Sequence, residues 1–284
     1  MRVAHLILTY TDPQLTERMI RKMEHDNFDF YIHVDKKIDI TPHLYLKDLP
    51  NVYLIQNRTV VKWAGFNTVL ATFGCIREIA STGIKYDFIN LLSGQDYPLV
   101  SAETLSNFFS QNIGKEFISY RDIKNDWVEG QIRMKRYFLT NFNIKGTYTL
   151  EKIMNTVMPS RKLPYGMHPY GKSMFWMLSP EAALYVADKV ENDKKLYNFF
   201  LFCWGTDEFV FQTILMNSPY RERIINENYR YIDWSSGKAN PKILENIDFK
   251  SIVDSKMLFA RKMSAINSQS LIDLIDKQID NILY

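Results

Sequence analysis

Across its first 120 residues the chain alternates short, dense apolar runs with longer stretches whose apolar residues recur every three to four positions. The runs are VAHLIL (residues 3–8), FDFYIHV (28–34), NVYLIQ (51–56), YDFINLL (86–92) and EFISY (116–120). Runs of this length suit strands buried on both faces, and the periodic stretches between them suit the helices that return the chain to a parallel sheet. The pattern predicts an open α/β sheet with helices on its faces. Local signals agree: Thr11 or Asp12 offers an N-cap ahead of Pro13, and Ser179 offers one ahead of Pro180 after the apolar SMFWML. Residues 121–170 break the alternation and read as a long, ordered functional loop. No linker divides the chain, so residues 1–284 are expected to form one domain. The last stretch, SLIDLIDKQIDNIL, has a helical apolar stripe at 271, 272, 275, 279, 282 and 283. Its aspartates would be repelled by anionic lipid, so it is expected to pack on its own domain.

The totals exclude several function classes. There are 35 basic and 32 acidic residues, a net charge of +3 that does not make a nucleic-acid surface. Cys75 and Cys203 stand far apart, in neither a Cys-x-x-Cys nor a Cys/His metal spacing, which favours a reducing compartment. No apolar run approaches the roughly 18 residues of a membrane span, and the N-terminus has no signal-peptide pattern. A cytoplasmic location is expected, with peripheral association at the inner face of the membrane open. The first strand–helix turn, TYTDPQ, lacks G-x-G-x-x-G, and G-x-x-x-x-G-K-[ST] is absent, which argues against a dinucleotide dehydrogenase or a P-loop kinase. A ligand of an open sheet binds beyond the carboxyl ends of its strands, where Asp35 and Ser93–Pro98 would fall.

The segment FCWGTDEFVFQTIL (202–215) sets Asp207 and Glu208 side by side in an otherwise apolar stretch. Adjacent helical residues point about 100° apart, so the two carboxylates cannot share one task. Asp207 reads as the helix cap. Glu208 is then free to face a cleft as a general base, or else is a solvated first-turn acid favoured by the helix dipole.

YIHVDKK (31–37), LLSGQDYPL (91–99), WGTDEFVFQTIL (204–215), RYIDW (230–234) and LFARK (258–262) together resemble, in order and spacing, one enzyme group. It comprises the core-2/I-branching β-1,6-N-acetylglucosaminyltransferases and peptide O-xylosyltransferases of glycosyltransferase family 14, and the likeness runs from about residue 3 to 262. The resemblance implies a GT-A fold, a Rossmann-like mixed sheet flanked by helices. Residues 1–120 would form its nucleotide-sugar half and 121–284 its acceptor and catalytic half. The implied activity is inverting, metal-independent transfer from a UDP-sugar to a hydroxyl of a glycan or lipid-linked glycan, with N-acetylglucosamine the first donor and xylose the next.

The resemblance also implies the site: Glu208 as base, Arg261 and Lys262 at the diphosphate, and Val34, Asp35, Trp63 and Asp96 around the donor. Trp234, with Arg133, Lys172 and Ser173, would meet the acceptor. Lys242 is a loose candidate for a third cation. His33 reads as an interior histidine. One acid, Asp96, stands where most GT-A enzymes carry Asp-x-Asp, a poor set for a hard dication. The family often has glycine where this chain has Ala64. The membrane anchor, stem and disulfides of animal members have no counterpart here, which suggests a bacterial-type enzyme in surface polysaccharide synthesis. Two rivals stand beside this reading: a non-catalytic glycan- or nucleotide-binding protein keeping the fold, and a metal-dependent retaining transferase.

Overall fold

A computed structural model describes residues 1–281. The first half follows the expected alternation: β1 (Val3–Thr9), α1 (Pro13–Lys22), β2 (Phe28–Val34), β3 (Val52–Leu54), α2 (Phe66–Ser81), β4 (Phe88–Ser93), the two-residue β5 (Tyr97–Pro98), α3 (Ala102–Ser110) and β6 (Glu116–Asp122). The caps read from sequence are present. Asp12 accepts from Gln14 N at 3.2 Å with Pro13 opening α1.

The stretch after β6 departs from expectation. Instead of an irregular loop it holds three helices, α4 (Ile123–Asp126), α5 (Val128–Lys135) and α6 (Thr147–Val157). They are short, and α6 has no buried residue, so no core-facing run marks them. The chain then returns through β7 (Tyr170–Leu178), α7 (Pro180–Glu191), α8 (Lys194–Leu201) and α9 (Val210–Met216). Ser179 Oγ caps α7, accepting from Ala182 N at 3.2 Å. The remainder is β8 (Ile224–Ile225), β9 (Arg230–Ile232), α10 (Phe249–Asp254), β10 (Phe259–Arg261) and α11 (Gln269–Asn281). Residues 282 and 283 of the expected C-terminal stripe lie outside the described residues.

The main sheet has seven strands in the order β3-β2-β1-β4-β7-β6-β8. It is parallel except for β7, which runs antiparallel to both β4 and β6. This is the mixed, Rossmann-like layer expected of a GT-A fold. The two-residue period of each strand separates two cores. Leu6, Leu91 and Trp176 meet α2, α7, α8 and α9 on one face. Phe28, Phe88 and Phe117 meet α1, α3, α10 and α11 on the other. Each buried phenylalanine contributes about 2–3 kcal/mol relative to exposure, so truncating Phe88 at the centre would destabilise both the sheet and the helices above it.

A second, three-stranded sheet runs β5-β10-β9, with β10 antiparallel to β5 and parallel to β9. β5 follows directly from the turn after β4. The small sheet therefore carries the end of β10 to the carboxyl end of the main sheet.

Candidate active site

Glu208 closes a single 3-10 turn, Thr206–Glu208, between α8 and α9. Two glycines permit that turn. Gly205 has φ +67°, and a side chain there would press on Arg133 Nη1. Gly171, at the start of β7, lies so close that an added Cβ would meet Phe209 Cβ at 2.5 Å and the Glu208 carbonyl at 2.8 Å. The turn is held from outside by Ala64, whose carbonyl accepts from Gly205 N at 2.7 Å. Ala64 itself has φ +58°, a left-handed conformation that explains why glycine suits this position.

The Glu208 carboxylate is partly buried and forms an ion pair with Arg133, from α5. Burial raises its pKa, and the Arg133 charge and hydrogen bond oppose the rise. Arg133 is fixed in turn. Its guanidinium lies 4.3 Å from the Trp204 ring centre and 5.2 Å from that of Trp127. Its second amino group meets Glu129 at 2.5 Å. Arg133, expected at the acceptor, grips the candidate base directly. The Glu129–Arg133 pair is legible as an i,i+4 spacing, whereas the pairing with a residue 75 positions away is not.

Asp207 corrects the sequence reading. It does not cap α9: that helix begins at Val210, its N-cap position is Phe209, and no side chain bonds its free N–H groups. The extra turn after Gly205 moves Asp207 out of capping position. Its carboxyl is half-buried, with no side-chain partner among the described residues and its own backbone N–H as a hydrogen-bonding group. Burial, with Glu208 alongside, pushes its pKa up to about 7, against pulls from its own backbone N–H, Arg133 and Arg261.

Arg261 and Lys262 leave the end of β10 beside the turn after β4, with Met263 N donating to the Gln95 carbonyl at 2.8 Å. The Arg261 guanidinium stacks 4.3 Å from the Phe175 ring centre, and its buried Nε has no partner. Burial, then the Arg261 charge, lowers the pKa of Lys262. Both residues are half-buried, and among the described residues neither has a carboxylate within ion-pair distance. Lys242, the loose third candidate, is held by Asp248 at 2.6 Å and Asp233 at 4.0 Å, so it is not a free cation. Trp234 lies just past the end of β9, whose Ile232 pairs with Arg261, and is 51% exposed. It therefore stands at the same strand end as the two cations.

Other expected donor contacts are turned inward. Val34 is buried at the end of β2. Asp35 accepts from Lys37 N at 3.0 Å and Val61 N at 3.3 Å. Arg58, which the sequence did not single out, stitches the same turn by donating to the carbonyls of Val34, Asp35 and Ile38 at 2.7–2.9 Å. Its signal is absent from any motif, because its partners are backbone. His33 is interior, as expected, accepting from Thr59 N at 3.1 Å, and burial lowers its pKa.

Asp96 is completely buried, with Oδ2 accepting from Ser93 N at 2.5 Å and Ser93 Oγ at 2.7 Å. With one carboxylate, and one of its oxygens engaged by the turn, this loop does not fit the oxygen-rich shell of a divalent ion. Trp63, in contrast, is 61% exposed and packs edge-to-face on Trp204 at 5.2 Å, next to Arg133. Lys172 is exposed at the mouth of β7, while Ser173 Oγ accepts from Asn228 Nδ2 at 3.1 Å.

The family model described as Core-2/I-Branching enzyme matches residues 3–257. Xylosyltransferase 1 of Rattus norvegicus is 25% identical over 94% of this chain and 34% of its own length. Xylosyltransferase oxt of Drosophila melanogaster is 25% identical over 76% of this chain and 24% of its own. The chain thus spans about a third or less of the length of these relatives. Mouse xyloside xylosyltransferase 1 aligns with 91% of this chain and 97% of its own at 10% identity, with a TM-score of 0.39, too loose a likeness to argue from.

Proposed function

The chain belongs to the core-2/I-branching enzyme family, and from that premise we propose that it is an inverting glycosyltransferase that moves a sugar from a UDP-sugar to an acceptor hydroxyl. The observation that carries the reading is a pairing of opposites at one sheet end. Two half-buried cations without carboxylate partners, Arg261 and Lys262, stand beside a turn that presents two carboxyls, Asp207 and Glu208.

Glu208 accepts the proton of the acceptor hydroxyl as that oxygen bonds to the anomeric carbon. The bond from that carbon to the phosphate oxygen breaks, and its electron pair leaves on the diphosphate. Arg261 and Lys262 stabilise that charge in a partly desolvated setting, where fixed cations act most strongly. Arg133 orients the Glu208 carboxylate, and its charge and hydrogen bond oppose the rise in pKa that burial causes. The poor fit of the Asp96 loop to a dication supports catalysis without a metal. The names of the relatives bring UDP-xylose beside UDP-N-acetylglucosamine as the donors to test first.

A second reading of the base is favoured by one observation: Asp207 has no ion-pair partner among the described residues and is poised at about 7, whereas Glu208 is ion-paired. UDP release across a panel of UDP-sugars, with and without EDTA, separates the possibilities. Glu208→Gln should lose roughly a hundredfold or more in kcat, as expected for removal of a general base, and EDTA should change nothing. An acid limb near pH 7 that disappears in Asp207→Asn, with Glu208→Gln active, would transfer the role to Asp207. Release unaffected by either substitution, or abolished by EDTA, would end the proposal.

A further inference from the structure

The helices α4 to α6 carry a surface that catalysis does not use. Eight of the 22 exposed large hydrophobic residues among the described residues fall between Val128 and Met158. On α6, Leu150, Ile153 and Val157 form one bare stripe, at 38%, 53% and 73% exposure, while the opposite side of the helix is tied down. There Glu151 accepts from Leu139 N at 2.6 Å and Asn155 from Tyr137 N at 2.8 Å. On α5, Val128 and Ile132 are bare one turn apart, while Arg133 points to Glu208.

Charge is concentrated in the same place. Residues 123–162 hold eight basic and three acidic residues, so this seventh of the chain carries a net +5 although the whole chain carries only +3. Two of the acids are engaged, Glu129 with Arg133 and Glu151 with the backbone, leaving Asp126. Arg133 and Arg161 are also turned inward. Lys135, Lys145, Lys152 and Lys162 remain exposed in the same segment, Lys152 on the flank of α6 next to Ile153 in sequence.

Exposed aliphatic side chains and exposed lysines in one segment are the two components of interfacial binding: apolar atoms enter the headgroup boundary while cations meet anionic lipid. A protein partner would need hydrogen-bonding complements that this face, mostly aliphatic with long flexible cations, scarcely offers. We propose that α5 and α6 form a docking surface for an anionic lipid bilayer. Resting on the transferase reading above, the surface sets the membrane against the helix that holds the catalytic base, and so suits an acceptor sugar anchored in lipid. The C-terminal helix could not serve, because Asp273 and Asp276 bond Arg18 and Asp280 bonds Lys22.

The test is co-sedimentation of the whole chain with vesicles of phosphatidylcholine alone and with vesicles containing phosphatidylglycerol. Binding is expected only to the second, and should weaken with added salt. Lys145→Gln/Lys152→Gln should weaken it about fivefold per lysine removed, and Ile153→Glu/Val157→Glu at least about tenfold. Unchanged thermal melting would show that the variants fold, and unchanged UDP release with a soluble acceptor would show that the site is intact. Failure to sediment with either vesicle, or equal sedimentation of wild type and both variants, overturns the proposal. Self-association of the wild type abolished by Ile153→Glu/Val157→Glu would overturn it in favour of an interface between copies. Vesicle binding without any transferase activity would instead count against the catalytic reading alone.

Discussion

The two sides of the sheet end treat their polar groups in opposite ways. On the β2 and β4 side, Asp35 and Asp96 are buried and accept hydrogen bonds from their own turns, leaving only Asp96 Oδ1 without a partner, and Arg58 donates to three carbonyls. On the β10 and α9 side, Asp207, Arg261 and Lys262 are half-buried, and among the described residues none of the three has an ion-pair partner. A buried polar group with its hydrogen bonds made stabilises the fold it belongs to. One left half-buried and unpaired costs stability, and is available to a ligand. The first side is therefore a rigid frame, and the second is where binding and proton transfer should concentrate.

The contrast can be broken most directly at Arg261. Arg261→Met should lower kcat about a hundredfold or more, the effect of removing one stabiliser of transition-state charge, while thermal stability holds or rises. A loss of folding with no selective effect on kcat would move Arg261 to the frame. Asp96→Asn should do the reverse, costing about 1–3 kcal/mol of stability by disturbing a buried hydrogen-bonded carboxylate, as read from denaturant unfolding.

Asp207 sharpens the comparison through pH. Its folded pKa of about 7 lies above the ordinary carboxyl value, so between roughly pH 4 and 7 the folded state holds a proton that the unfolded state has lost. Its contribution is most favourable below pH 4 and disappears as pH rises through 7. Asp207→Asn should therefore stabilise the protein by about 1–2 kcal/mol at pH 8, an amount reduced by solvent screening, and change little at pH 4. Melting curves at the two pH values check the sign. The smallest effect is expected at Ala64. Ala64→Gly removes a left-handed strain of about 1–2 kcal/mol and adds some unfolded-state entropy, for a net gain of about 0.5–1 kcal/mol. A lower melting temperature would show that Ala64 is not strained.

Much of the fold was legible because strand and helix periods are local. Every long run of the first half became the element its spacing predicted, and Ser179-Pro180 capped α7 as read. The α4–α6 helices were not, since they are short and draw few of their contacts from a repeating apolar face. At the site, Glu208 and the Arg261-Lys262 pair were visible through five ordered motifs. Asp207 was misread because Gly205 inserts a turn that no capping rule anticipates.

The sequence by itself determined the alternating layers, the place where strands end, and the family to which the chain belongs, because periodicity and motif order are properties of neighbouring residues. Only the tertiary structure decided which charges neutralise one another. Arg133 turned from a free donor into the partner of Glu208, Lys242 was captured by Asp248 and Asp233, and Arg261 kept its charge unpaired on Phe175. Those outcomes depend on distances of a few ångströms between residues far apart in the chain, and Coulomb and hydrogen-bond energies are set by distance, burial and angle that only the folded chain fixes.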